Sequence, residues 1–195
     1  GSIVALDPAT GRVAATSSGS SQERIIGEFQ GTVLVVDADA LVARHAGDDA
    51  ELWRVPLADH GWDASSLSAR PEPAHPDGMA LLATSDTAGA LLDLQTGLVV
   101  GENADGAWVD GPTGTLVVLD GTSLHAYDTE HELLWQLTVG PGTSVETVGG
   151  VFVYLRDGDE VRAHNVVTGA LAEAYDPQGQ GRILVPAHLT FQGAA

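Results

Sequence analysis

The sequence contains no cysteine and no lysine. Without cysteine, the chain has no disulfide, no zinc site built on thiolates and no thiol nucleophile. Without lysine, it cannot form a Schiff base with a carbonyl substrate or cofactor. These two absences exclude several large classes of enzyme before any motif is considered.

Positive charge is scarce, because eight arginines face 27 acidic residues and the net charge is −19 at pH 7. A surface of this sign repels phosphate backbones and anionic headgroups, so we expect no binding to nucleic acid. No apolar run reaches the roughly 18 residues of a membrane-spanning helix, so we expect no direct membrane insertion of this segment. A lysine-poor composition rich in Ala, Gly, Val and Asp is typical of high-GC bacterial genomes, and a salt-adapted source is the alternative.

A five-residue turn pattern recurs along the chain: Asp or Asn, two variable residues, then Thr-Gly. The Asp or Asn side chain can accept bonds from backbone N–H groups two or three residues later, and Gly takes the positive φ that closes the turn. Clear copies occupy 7–11, 93–97 and 165–169, and looser copies occupy 45–49 and 128–132.

A glycine precedes each later turn by 14 or 15 residues, and each glycine opens an apolar strand. The strand ends in a polar hairpin such as Asp157-Gly-Asp159, and an alternating strand then leads to the turn. Two successive glycine intervals, from Gly78 to Gly114 and from Gly114 to Gly150, are both 36 residues. Four strands per repeat of this length predict an all-β chain, a β-propeller of four-stranded antiparallel blades.

About five modules fit the chain as a single propeller over residues 1–195. They comprise a partial blade at 3–14, blades at about 24–57, 78–101, 106–139 and 144–174, and a partial blade at 181–195. Two arrangements remain open. The two partial ends either close one shared blade of an unusually small ring, or the chain is a truncated piece of a longer propeller.

The repeat resembles that of the pyrroloquinoline-quinone (PQQ)-like β-propellers, in which a strand, the Asp/Asn-x-x-Thr-Gly turn and a strand ending in Trp follow one another. Ile3 through Gly11, Leu124 through Trp135 and Val161 through Gly169 carry the resemblance. This family includes quinoprotein dehydrogenases and BamB-type scaffolds of outer-membrane assembly. The resemblance implies an extracytoplasmic, cell-envelope location.

The segment between the second and third modules, residues 58–76, is rich in Pro, Ser and Asp and is expected to be a loop. Loops on a rigid scaffold often carry binding residues. Asp59, His60 and Trp62 are therefore candidates for a patch that contacts a partner or a sugar; alternatively, the loop packs its own Trp against the neighbouring blade.

Carboxylates cluster at Asp157, Asp159 and Glu160, which makes them weak candidates for calcium ligands. They fall on a predicted turn, where Asp is also expected for turn formation alone. The sequence lacks a Gly-x-Ser-x-Gly elbow, and the family's quinone-dependent branch often uses a vicinal disulfide that this chain cannot form. We therefore assign no catalytic residue and no cofactor.

These observations favour a non-catalytic protein-interaction or scaffold propeller over an enzyme. A protein partner, including a second copy of this chain as a homodimer, is the expected ligand. Two alternatives stay open: a ligand-binding or enzymatic propeller that holds PQQ, a sugar or calcium, and the extracellular sensor domain of a transmembrane signalling protein.

Overall fold

The computed structural model describes residues 3–6, 10–17, 23–70 and 76–175, so the predicted partial blade at 181–195 lies outside the described residues. Within those ranges the chain forms β-strands and one 3₁₀ helix, Leu57–His60. No helix in the described part is long and apolar enough to cross a membrane. The chain divides into two compact units, residues 1–104 and 105–195, which are described separately.

Unit one contains an antiparallel ribbon and two four-stranded antiparallel sheets, here named blade I and blade II. The ribbon pairs β1 (Ile3–Leu6) with β2 (Val13–Ser17). Blade I comprises β3 (Glu23–Phe29), β4 (Thr32–Asp37), β5 (Ala40–His45) and β6 (Glu51–Pro56). Blade II comprises β7 (Ser68–Ala69), β8 (Met79–Ala83), β9 (Gly89–Asp93) and β10 (Val99–Glu102).

Unit two contains two further four-stranded antiparallel sheets, blade III and blade IV. Blade III comprises β11 (Ala104–Val109), β12 (Leu116–Asp120), β13 (Ser123–Tyr127) and β14 (Leu133–Thr138). Blade IV comprises β15 (Ser144–Gly149), β16 (Phe152–Asp157), β17 (Glu160–Asn165) and β18 (Leu171–Tyr175). Every blade pairs its strands in chain order, which is the meander of a propeller blade. The predicted fold class, an all-β chain of four-stranded propeller blades, is confirmed.

Tight hairpins join the second and third strands of three blades, as the Asp-rich sequences predict. The closing pairs are Asp37 with Ala40, Asp120 with Ser123 and Asp157 with Glu160, each enclosing two residues. The first enclosed residue has a positive φ in every case: 54° at Ala38, 54° at Gly121 and 59° at Gly158. Such turns match the right-handed twist of the paired strands.

The recurring turn joins the third strand of a blade to the fourth by the predicted hydrogen bonds. Oδ1 of Asn165 accepts the backbone N–H groups of Val167 and Thr168, both at 3.0 Å. The turn that begins at Asp93 in blade II has the same pattern, with bonds of 2.9 and 2.8 Å from residues two and three positions later. Gly97 and Gly169 close these turns with φ of 76° and 71°.

Residues 110–114 are a further copy of the turn pattern that was not recognised in the sequence. There, Gly114 was interpreted only as the start of a strand. This copy joins β11 to β12, and its Asp110 is completely buried. Oδ2 of Asp110 accepts the N–H and the hydroxyl of Thr113, at 3.1 and 2.7 Å. Oδ1 accepts the N–H of Val151 at 3.1 Å, so one carboxylate links blade III to the first turn of blade IV.

A tryptophan on the fourth strand of one blade contacts the recurring turn of the next blade. In unit two, the indole N–H of Trp135 donates to the carbonyl oxygen of Val166 at 2.7 Å. In unit one, the indole N–H of Trp53 donates to the carbonyl oxygen of Leu94 at 2.8 Å. A Cβ added to Gly169 would lie 2.9 Å from the ring of Trp135, so only glycine leaves room for the indole there.

Apolar side chains fill the space between blades within each unit. Complete removal of one such side chain from water contributes about 1.5–3 kcal/mol to stability. The core between blades III and IV contains Val117, Leu124, Val153, Leu155 and Val166, with Trp135 and Leu137 packed against it. The core of unit one includes Leu34, Val36, Leu41, Leu82, Leu92 and Leu94, with Trp53 and Trp62 packed against it.

The expectation that residues 58–76 form a loop is wrong in two places, and residues 71–75 of this segment lie outside the described residues. The 3₁₀ helix Leu57–His60 extends into the segment, and β7 (Ser68–Ala69) lies inside it and pairs with Ala83 and Leu82 of β8. A two-residue strand is too short to show an alternating pattern. Sequence periodicity therefore could not reveal the first strand of blade II.

Replacing Gly169 with Ala should destabilise unit two more than the same change at Gly158. Both residues have a positive φ, so each alanine introduces backbone strain of about 1–2 kcal/mol. Only the Cβ at position 169 also displaces Trp135, which should bring the total loss to about 3 kcal/mol. Chemical denaturation followed by circular dichroism measures both losses, and equal losses would show that the indole does not depend on this glycine.

Candidate functional site

The segment that links blade I to blade II is fixed at several points. Leu57 is buried, and its N–H donates to the carbonyl oxygen of Asp39 in the hairpin of blade I at 2.8 Å. The guanidinium of Arg24 donates to the carbonyl oxygens of Ala64 and Leu67, the latter at 2.8 Å. Leu67 is itself fully buried. These contacts make the segment a defined surface feature of unit one.

His60 and Trp62, two of the three residues proposed as a partner-binding patch, stack on each other in this segment. Their ring centroids are 4.6 Å apart and the ring planes differ by 25°. Nδ1 of His60 lies 2.9 Å from Oε1 of Glu102 at the end of β10. Trp62 is half-buried, because one side packs against the core of unit one. Asp59 is exposed on the preceding 3₁₀ helix.

The three carboxylates proposed as weak calcium ligands lie at the hairpin that joins β16 to β17 in blade IV, and their surroundings differ. Glu160 pairs with Arg162 through two bonds of 2.9 and 2.7 Å. These hydrogen bonds hold the pKa of Glu160 below its ordinary value. Asp157 and Asp159 are exposed. Across the described residues, no group of three or more His, Asp or Glu is arranged to hold a metal ion.

A depression of about 200 Å³ lies in unit two, at the position where β14 and its connection to β15 meet blade IV. Blades III and IV both contribute apolar side chains to its walls, and most of the polar groups come from blade IV. The lining residues are Leu137, Thr138, Val139, Gly140, Thr143, Leu155, Asp157, Arg162, His164 and Leu171. Asp157 is the only one of them that the sequence analysis proposed as a site residue.

His164 has one nitrogen committed to the protein and one available in the depression. The side chain is only 7% exposed, and Nδ1 lies 3.0 Å from the carbonyl oxygen of Gly169. A carbonyl oxygen only accepts, so Nδ1 carries the hydrogen and Nε2 of the neutral ring presents a lone pair. Nε2 forms no hydrogen bond within the part of the chain that the structure describes.

A second group of titratable side chains lies on one face of blade III. The strand register places Asp120, His125 and Tyr127 on that face, and the rings of His125 and Tyr127 are 6.2 Å apart. Burial raises the pKa of Asp120, with His125 opposing the shift and the carboxylate of Asp105 adding to it. Burial and the nearby Asp120 also raise the pKa of Tyr127. The charged form of the partly buried Asp120 carboxylate is therefore disfavoured in the folded protein.

Comparisons with known proteins identify structures of similar fold. Neither a protein-family model nor a curated protein sequence matches this chain. BamB from Moraxella catarrhalis is 16% identical with a TM-score of 0.42, and the alignment covers 90% of this chain and 58% of BamB. Sqt1 from Saccharomyces cerevisiae is 13% identical with a TM-score of 0.45, over 89% of this chain and 55% of Sqt1.

A third similar structure is the dihydro-heme d1 dehydrogenase NirN in complex with DHE. It is 14% identical with a TM-score of 0.48, and the alignment covers 92% of this chain and 44% of NirN. This chain thus spans roughly half the length of each of the three structures. Sequence identities this low indicate a similar fold and nothing about function.

Replacing Asp120 with Asn should stabilise the protein at pH 7. The folded state raises the pKa of Asp120 above 3.8, so folding is favoured when the carboxyl is protonated and this contribution is lost as the pH rises through the raised value. Asn stays neutral, so its advantage over Asp120 should shrink as the pH falls toward 3.8. Thermal unfolding at several pH values measures the difference.

The exposed Asp159 provides the matched control, because its replacement with Asn also changes a hairpin carboxylate. This variant should change the melting temperature little at either pH. An Asp120→Asn variant that is less stable than the parent at pH 7 would contradict the prediction.

Proposed function

We propose that this chain is a non-catalytic protein-interaction propeller that binds a partner through Asp59, His60 and Trp62. The stacked His60–Trp62 pair is the observation that carries this proposal. Tryptophan is among the residues that most often dominate the energy of protein interfaces. Its half-exposed position on a fixed segment leaves apolar area available to a partner.

The contacts around this pair reduce the conformational entropy that its side chains would lose when a partner binds. Glu102 holds the His60 ring, Leu57 anchors the helix, and Arg24 anchors the following residues. A binding surface that is already ordered loses less freedom when it meets its partner. Rigid placement of an aromatic pair therefore supports recognition of a macromolecule.

Exposed leucines at the start of the fourth strands provide further apolar surface. Leu52 is 47% exposed, Leu98 53%, Leu133 53% and Leu171 57%. One exposed leucine is ordinary on a soluble protein. Repetition of the feature in all four described blades supports additional contacts with a protein, and a second copy of this chain, forming a homodimer, is one such partner.

The proposed setting is the cell envelope of a high-GC bacterium. The lysine-poor, acidic composition supports the bacterial source. The likeness of the repeat to PQQ-like propellers supports the extracytoplasmic location.

A photo-cross-linking residue placed at Asp59 should capture a discrete protein in the source cells. The same residue at Gln95, an exposed position in the third-to-fourth-strand turn of blade II, is the control and should not capture that protein. With the captured partner purified, Trp62→Ala should weaken binding about 30-fold, because tryptophan hot spots contribute about 2 kcal/mol or more.

Glu102→Gln provides a milder variant that keeps Trp62 and weakens the restraint on His60. It should fold normally and bind a few-fold more weakly. Equal capture at positions 59 and 95, or full affinity in the Trp62→Ala variant, would exclude this segment as the docking site.

A further inference from the structure

We propose that the depression in unit two binds an arginine side chain of a protein partner. This inference rests on the proposed protein-interaction function and adds a second contact with a defined chemical preference. Four properties of the depression favour this occupant: its size, the hydrogen-bonding character of its polar groups, its local charge and its apolar walls.

Size favours a single side chain over a free small molecule. The depression measures about 200 Å³. Pockets that enclose drug-sized ligands and cofactors usually measure roughly 300–1,000 Å³. A cavity below that range suits one long side chain inserted from a partner's surface.

The available polar groups mainly accept hydrogen bonds. Asp157 contributes a carboxylate, and His164 contributes the lone pair on Nε2 because the carbonyl of Gly169 fixes the hydrogen on Nδ1. The two hydroxyls, on Thr138 and Thr143, can donate or accept. A ligand that fits these groups must therefore donate several hydrogen bonds in different directions.

The local charge favours a cation. The guanidinium of Arg162 is already paired with both carboxylate oxygens of Glu160, so its charge is largely compensated. Asp157 and the neighbouring Asp159 leave the hairpin with an excess of negative charge, on a chain whose net charge is −19. An incoming anion would meet these carboxylates, whereas a cation would be attracted to them.

Arginine combines both requirements with an apolar stem. Leu137, Leu155 and Leu171 provide apolar wall surface against which the methylene groups of arginine can pack. The guanidinium has five N–H donors in a planar array and can reach a carboxylate and an imidazole nitrogen together. Arginine is enriched at protein interfaces while lysine is depleted, which favours arginine as the occupant.

The direct test is a titration with N-acetyl-arginine methylamide, which has no charged termini, followed by the nitrogen NMR signals of the His164 ring. We expect a saturable shift of Nε2 with the arginine probe and a much smaller one with the citrulline analogue, which has a similar shape but no charge. Asp157→Asn should weaken the binding by at least about fivefold, while Asp159→Asn should change it by less than about twofold.

Asn suits a tight hairpin turn as Asp does, so the Asp157→Asn variant should keep the fold. Equal shifts with the arginine and citrulline probes would overturn the charge argument. A saturable shift of the His164 signals with acetate, but not with the arginine probe, would show that the depression is an anion site and would overturn the proposal.

Selection of random peptides on the intact protein separates this inference from the proposed function. Enriched peptides that share an arginine and lose affinity for the Asp157→Asn variant would support both. Enriched peptides that bind the variant normally would exclude the arginine pocket and leave the interaction function standing. The protein could instead enrich no peptide while the small arginine probe still binds saturably. That result would favour a free small cation over a protein side chain, and it would overturn both the arginine pocket and the proposed protein-interaction function.

Discussion

A tryptophan that binds the turn of the next blade is the contact on which the packing within each unit depends. The indole covers a glycine, and its N–H satisfies a carbonyl oxygen that the turn leaves free, as Trp135 does at Val166 and Gly169. The Asn or Asp that begins the turn satisfies backbone N–H groups, which keeps the carbonyl in place. Within each unit, one blade thus supplies the tryptophan and the next blade supplies the turn that the indole contacts.

This arrangement places the candidate sites at the connections between blades. The fourth strand of blade I ends immediately before the segment that carries His60 and Trp62. The fourth strand of blade III, which carries Trp135, also contributes Leu137 and Thr138 to the depression. The same strand that secures two blades therefore also positions the binding groups, so rigid packing and recognition are linked in each unit.

The blade pattern was predictable because its chemistry is local: the Asp or Asn, the Thr and the Gly of each turn are contiguous in sequence. Residues 110–114 were missed because this copy of the pattern joins different strands, and β7 was missed because two residues show no periodicity. The depression had no sequence signal, since its walls come from separate strands. The open Nε2 of His164 depends on a carbonyl oxygen five residues away that only the folded strand places at 3.0 Å.

Hydrogen exchange of the indole N–H groups, measured by NMR, tests the central contact most directly. The chain has four tryptophans, of which Trp53 and Trp135 donate to backbone carbonyl oxygens of the next blade. Trp62 and Trp108 have no indole acceptor within the described part of the chain. We expect slow exchange for the first pair and fast exchange for the second. Four indoles that exchange at similar rates would contradict this expectation.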